Sequence, residues 1–311
     1  METRKLGSLD VSVVGLGCNN FGMRLDEART TTVVNAAIDA GITLLDTADV
    51  YGGQGRSEEF LGKALGKRRD EVLIATKFGG PMGEGKGGAK PSYVAEACEA
   101  SLKRLGTDRI DLYQLHFPDQ ATPIGETLEA LDALVKAGKV REIGCSNFTP
   151  EMIDEATKIS SDKGFARFVS AQNQLNLLNQ RGRNELIDAC TRNGLGILPY
   201  FPLASGMLTG KYKRDQPPPE GTRLAGMPEE RRDRVFNDRN FDTLDQLEAF
   251  ASDRGHTLLE LAFSWLASLP QMASVIAGAT SPEQISSNTS AVAWTLDADE
   301  LAQIDKITGV S

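Results

Sequence analysis

From Val13 onward, short apolar runs rich in β-branched residues alternate with longer stretches whose apolar positions recur at helical spacing. The runs are Val13–Gly17, Thr43–Asp46, Val72–Lys77, Ile110–His116, Glu142–Ser146, Val169–Asn173, Gly196–Pro199 and Ser274–Ala277. Strands buried on both faces read as continuous apolar runs, and strand–helix alternation is the mark of βαβ units with a parallel sheet. Eight such units predict an α/β fold of the closed (β/α)8 TIM-barrel type rather than an open doubly wound sheet.

Helix boundaries carry their own signals. Asp26 precedes Glu27–Ala40 and Gly41 follows it; Pro91 opens Ser92–Leu105 and Gly106 follows; Pro150 opens Glu151–Ser160. Ahead of the first barrel strand, Lys5–Leu6 and Val11–Val13 flank Gly7-Ser8-Leu9-Asp10, which predicts an N-terminal β-hairpin able to plug one barrel end. Two segments break the rhythm: glycine-rich Gly79–Lys90 and the long, charged Ala204–Asp242 with Pro217-Pro218-Pro219. Loops of that length usually form lids or binding loops. No linker divides the chain, so one barrel domain over residues 1–311 is expected.

Composition narrows the function classes. The net charge of −9 is spread along helical stretches, and no basic stripe offers a footprint for nucleic acid. No apolar run approaches the roughly 20 residues that cross a bilayer. The opening Met-Glu-Thr-Arg-Lys-Leu-Gly has no signal-type apolar segment, so a cytoplasmic location is expected, without a membrane partner. Cys18, Cys98, Cys145 and Cys190 are widely spaced, with only His116 and His256 to join them; buried reduced thiols are expected, and no metal.

In parallel barrels the carboxyl ends of the strands form the active face. Asp46 ends the second strand, Tyr51 follows in its loop, Lys77 ends the third, His116 ends the fourth and Asn147 follows the fifth. Singly, each has a structural explanation as a cap, a snorkelling strand end or a satisfied histidine. Together, on neighbouring strands, they suit carbonyl reduction. A phenol with an ordinary pKa near 10 is a poor acid at neutral pH until a nearby ammonium stabilises its phenolate. Lys77 supplies that field, Asp46 keeps Lys77 charged and oriented, and His116 can donate a hydrogen bond to the substrate oxygen.

The stretch Asp46-Thr47-Ala48-Asp49-Val50-Tyr51-Gly52-Gly53-Gln54-Gly55-Arg56-Ser57-Glu58, completed by Leu61-Gly62-Lys63-Ala64-Leu65, resembles the signature of the aldo-keto reductases. Ala75-Thr76-Lys77-Phe78, Leu115-His116-Phe117-Pro118-Asp119, Gly144-Cys145-Ser146-Asn147-Phe148 and Tyr200-Phe201-Pro202-Leu203 resemble further motifs of that family, in its order. The resemblance implies hydride transfer from NAD(P)H to a small-molecule carbonyl, with Tyr51 as proton donor supported by Asp46, Lys77 and His116. It implies that Ser146, Asn147 and Gln172 hold the nicotinamide amide and that Tyr200 stacks on its ring. Phe201, Leu203, Ser205 and Gly206 would meet the pyrophosphate, and Gly278, Ala279, Thr280, Gln284 and Asn288 the adenosine. Gly15-Leu16-Gly17 fails the spacing of a Rossmann fingerprint and reads as a tight turn, with Gly17 near the cofactor.

One departure bears on cofactor choice: Gly278–Asn288 holds no cation for an adenosine 2′-phosphate. Lys211 and Arg223 resemble cationic positions that reach the cofactor in the potassium-channel β subunits, so NADP(H) is favoured and NAD(H) remains possible. A cofactor-sensing regulatory subunit of that type is the alternative function. Those subunits tend to have asparagine at the position of His116, so histidine favours turnover. Phe21, Met23, Phe78 and Phe117 are candidates for an apolar substrate wall.

Overall fold

Residues 1–310 are described by a computed structural model of the chain. A hairpin of β1 (Thr3–Leu6) and β2 (Leu9–Ser12) precedes eight parallel strands: β3 (Val14–Gly17), β4 (Leu44–Asp46), β5 (Leu73–Phe78), β6 (Ile110–Leu115), β7 (Val140–Ser146), β8 (Phe168–Gln172), β9 (Gly196–Ile197) and β10 (Val275–Gly278). Their spatial order is β10-β3-β4-β5-β6-β7-β8-β9. The ring closes between the outer two, where Ile197 N–H donates to Gln271, Ala273 N–H to Ile197 and Ile276 N–H to Pro199. The predicted barrel and all eight strands are present, with ends displaced by a residue or two. β7 starts two residues early, at Val140, and β9 stops two residues short, at Ile197, because Pro199 has no N–H with which to continue a ladder.

Strand alternation builds two environments. Leu44, Ala75, Leu112, Leu198, Ala273 and Ile276 form an apolar layer closed from below by Leu6, Leu9 and Val11 of the hairpin. One pleat further along β4, β5, β6 and β8 come Asp46, Lys77, Gln114 and Gln172, a polar layer at the carboxyl end. The intervening residues, among them Leu45, Ile74, Tyr113, Ile143 and Ala171, face outward and pack under the helices. Gly144 is required by this layering: a Cβ there would lie 2.1 Å from Ser170 Oγ and 3.2 Å from Gln114 Cγ.

The helices start where their signals lie. Asp26 accepts from Arg29 N–H ahead of Glu27–Asp39, and Thr149 accepts from Met152 N–H ahead of Pro150–Lys163. Pro91–Leu105 begins at its proline and ends at Gly106 in the left-handed region. Gly79–Lys90 has no regular structure, as predicted. The Ala204–Asp242 expectation needs correction. A tight turn occupies Ala204–Thr209, a short helix covers Glu229–Asp233, and helix Asp238–Ser252 begins inside the segment because Asn237 caps it through Asn240 N–H. The four cysteines are buried free thiols. Among the described residues no helix is long and apolar enough to cross a membrane.

Candidate active site

The polar layer forms one connected network. Lys77 Nζ lies 2.8 Å from Asp46 Oδ2 and donates at 2.8 Å to the Thr47 carbonyl. The other carboxylate oxygen of Asp46 accepts from Gln172 Nε2 at 2.9 Å and from Gln114 Nε2 at 3.3 Å. The register makes this possible, since Asp46 pairs with Ala75 and Lys77 with Gln114 on adjacent strands. Burial alone would depress the Lys77 pKa, but the charge of Asp46, and then Tyr51, hold it above its ordinary value.

Tyr51 opens a single helical turn, Tyr51–Gln54, and its ring centroid is 5.1 Å from Lys77 Nζ. Gly52, at φ +73°, makes the turn possible, because a Cβ there would be 2.8 Å from Phe21 O, Ser57 N and Arg56 Cβ. Ser57 ties the loop down by donating to the Cys18 carbonyl and pairing with Thr47 Oγ1, both at 2.8 Å. Burial raises the Tyr51 pKa above its usual value while the Lys77 ammonium pulls it down.

The His116 ring meets the Tyr51 ring edge-on, with centroids 5.7 Å apart, and stacks at 4.3 Å on Phe117. Burial, followed by the charge of Lys77, pushes its pKa down to about 3, so the imidazole is neutral and can donate from only one nitrogen. Buried Nδ1 has no hydrogen-bond partner among the described residues. Asp46, Tyr51, Lys77 and His116 therefore cluster at the carboxyl end of the barrel.

The residues assigned to the nicotinamide lie beside them and hold one another. Tyr200 hydroxyl donates to Asn147 Oδ1 at 2.8 Å, Asn147 Nδ2 donates to Ser146 Oγ at 3.1 Å and to the His116 carbonyl at 3.0 Å, and Ser146 Oγ donates to the Gln172 carbonyl at 2.8 Å. Asn147 at φ +61°, Phe201 at +53°, Ala204 at +45° and Ser205 at +60° all occupy the left-handed region, and Gly206 follows at +96°. Such residues cost of order 1–3 kcal/mol each and cluster at ligand clamps. Asn176, which is buried, braces the turn by donating to the Phe201 carbonyl at 2.9 Å.

Gly17 and Gly278 are register partners on β3 and β10, so two residues without side chains flank the mouth there. Ala279 is buried, and the Gln284 amide oxygen accepts from Thr280 N–H at 2.8 Å. Gln284 and buried Asn288 lie one turn apart on helix Pro282–Ser290.

Lys211 Nζ comes within 2.8 Å of where a Gly206 Cβ would stand. The Arg223 guanidinium stacks on Phe201, 4.7 Å from the ring centroid. Both have their pKa lowered, by burial first and then by the charge of Arg24, which donates to the Gly221 carbonyl. Among the described residues none of the three cations meets a carboxylate. Three converging cations without counter-charges fit an anion.

Sequence reasoning missed Arg24, Gln114 and Asn176. Gln114 carried a usable signal, being two positions before His116 on a strand whose alternate residues face inward. The apolar wall is corrected. Phe21 and Phe78 are fully buried in the packing outside the sheet, Phe78 stacked on Tyr113 at 4.7 Å, because Phe78 follows inward-facing Lys77 and so points away. Only Met23 and Phe117 remain exposed, at 73% and 46%.

The sequence description of the aldo/keto reductase family matches residues 13–308. A probable voltage-gated potassium channel subunit beta of Arabidopsis thaliana is 33% identical over 94% of this chain and 91% of its own length. The L-glyceraldehyde 3-phosphate reductase of Escherichia coli (strain K12) is 32% identical over 98% and 92%, and the aldo-keto reductase YhdN of Bacillus subtilis (strain 168) is 33% identical over 96% and 90%. With an eight-stranded parallel barrel and a match over nearly its whole length, this chain belongs to the aldo/keto reductase family of oxidoreductases.

Proposed function

We propose that the protein reduces aldehydes or ketones to alcohols with NAD(P)H, Tyr51 delivering the proton. The observation that carries the reading is the buried Lys77 ammonium, held by Asp46 and set against the Tyr51 ring. When bound, the reduced nicotinamide supplies a hydride to the carbonyl carbon. Tyr51 donates its phenolic proton to the carbonyl oxygen, and Lys77 stabilises the phenolate left behind. Neutral His116 orients the same oxygen by a hydrogen bond.

Ser146, Asn147 and Gln172 would hold the nicotinamide amide, exchanging hydrogen bonds made within the protein for bonds to it, and Tyr200 would stack on the ring. The strained turn Phe201–Gly206 is suited to the pyrophosphate, since curled backbone of this kind makes anion-binding concavities. Gly17, Gly278, Ala279, Thr280, Gln284 and Asn288 would take the adenosine. Three unpaired cations exceed the two charges of a pyrophosphate, which supports NADP(H) over NAD(H). The placement of Lys211 beside Gly206 and of Arg223 on Phe201 favours the pyrophosphate as their main contact, rather than the 2′-phosphate.

A cofactor-sensing role is favoured by the plant channel-subunit relatives; the intact set of Asp46, Tyr51, Lys77 and His116 favours turnover. Screening carbonyl compounds with NADPH and NADH in parallel, phosphorylated short aldehydes included, tests the reading. Reduction of at least one class is expected, and cofactor binding without any turnover would leave the sensing role.

A further inference from the structure

The loop Thr47–Val50 joins the partner of Lys77 to the proton donor, and within it lies a carboxyl that the chemistry above does not use. Asp49 is 1% exposed, and neither of its carboxyl oxygens has a hydrogen-bond partner among the described residues. A second buried carboxylate, Glu58, stands behind it on helix Arg56–Leu65. Glu58 is fully engaged, accepting from Thr76 Oγ1 and from Arg104 Nε at 2.6 Å each. Two buried carboxyls thus face one guanidinium, and Arg104 is committed to Glu58. The remaining titratable groups facing Asp49 are Lys77 on β5, the Tyr93 phenol on helix Pro91–Leu105 and the buried Tyr113 phenol on β6. A buried carboxyl with no donor nearer than the Val50 backbone N–H, and no well-formed hydrogen bond, cannot stay ionised cheaply, so Asp49 is the group that keeps a proton. Burial, followed by the charge of Glu58, pushes it up to about 7 against the pull of Arg104, the Val50 backbone N–H and Lys77.

We propose that Asp49 is a positioning residue that sets the acidity of Tyr51 through Lys77, its carboxyl protonated while reduction runs fastest. The link is direct in the backbone: Asp49 N–H donates to the Lys77 carbonyl at 3.1 Å. With Asp49 neutral, the charge that chiefly offsets the field of Lys77 at the phenol is that of Asp46. Loss of the Asp49 proton to solvent places a second negative charge behind the ammonium. The phenol then becomes a weaker acid and releases its proton to the substrate more slowly. This inference rests on Tyr51 being the proton donor.

The test combines two measurements on the full-length protein. Infrared titration of the protein without cofactor should show a protonated-carboxyl band with a midpoint near 7, lost in Asp49→Asn and moved to lower pH in Glu58→Gln. Single-turnover reduction of an aldehyde by wild-type protein should fall by roughly two- to fivefold through the same midpoint, the size of a partial field change across a buried site. Asp49→Asn should stay on the upper plateau. Identical pH profiles in wild type and Asp49→Asn would overturn the link to Tyr51, and absence of the titrating band would overturn the protonated state itself. If no carbonyl is reduced, the proposed function fails, and the infrared titration still decides whether Asp49 holds a proton.

Discussion

Lys77 Nζ and Asp46 Oδ2 stand 2.8 Å apart with both side chains almost wholly shielded from solvent. An ion pair so enclosed is costly to form and costlier to break, because removing one partner leaves an uncompensated charge. Lys77→Met should therefore destabilise the fold by about 3–5 kcal/mol. Replacing both residues, Lys77→Met with Asp46→Leu, should recover part of that loss while abolishing reduction. Denaturant unfolding of the single and double variants measures the coupling, and strictly additive losses would show that the pair is not a unit.

The neutral state of His116 has a clear pH signature. With a folded pKa of about 3 against an ordinary 6.5, the folded protein binds fewer protons than the unfolded chain between those values. Its contribution to stability is thus present above pH 6.5 and lost as pH falls toward 3. The NMR signals of its ring, assigned by His116→Asn, should not move between pH 5 and 8. A midpoint near 6.5 would mean that His116 is a charged donor and the mouth far wetter than its burial implies.

Asp49 has the opposite sign. Its folded pKa, about 7, lies above the unfolded value, so the folded state holds an extra proton between roughly pH 4 and 7. The cost of burying its charge is absent below that window and complete above it. Asp49→Asn should match wild-type stability at pH 4 and exceed it at pH 8 by up to roughly 4 kcal/mol. A constant difference across the range would indicate a packing effect instead.

Lys211 and Arg223 are positioned by Gly206 and Phe201, in the turn suited to a pyrophosphate. Their joint replacement by alanine should weaken NADPH and NADH together, by about 1–3 kcal/mol each, and the loss should shrink as salt rises. Equilibrium binding of both cofactors checks this. Selective loss of NADPH would assign the pair to the 2′-phosphate, as the bare sequence suggested.

Much of the fold was legible because a parallel barrel buries each strand on both faces, so eight apolar runs with capped helices between them identify it almost alone. The polar residues ending those runs, Asp46, Lys77 and His116, could be placed at one mouth by strand order. What was not legible depends on distance rather than order. Arg24 joins Lys211 and Arg223 from nearly two hundred residues away, and Asp49 is unusual only because Glu58 and Arg104 close over it. Phe78 read as a pocket wall because one residue of register decides between barrel interior and outer core. The helix start at Asp238 was hidden by the charged, proline-rich run before it, although Asn237 was a visible cap.

The central claim, that Tyr51 supplies the proton beside the buried Lys77–Asp46 pair, is tested most directly by single-turnover stopped-flow reduction of a carbonyl substrate. Wild-type protein and Tyr51→Phe are each loaded with saturating reduced cofactor, and the loss of nicotinamide absorbance is followed. The phenyl ring preserves the packing against His116, so cofactor affinity should be unchanged. The rate should fall by roughly a hundredfold or more, the range for loss of a general acid. Equal rates in the two proteins would contradict the account and move proton delivery to another group.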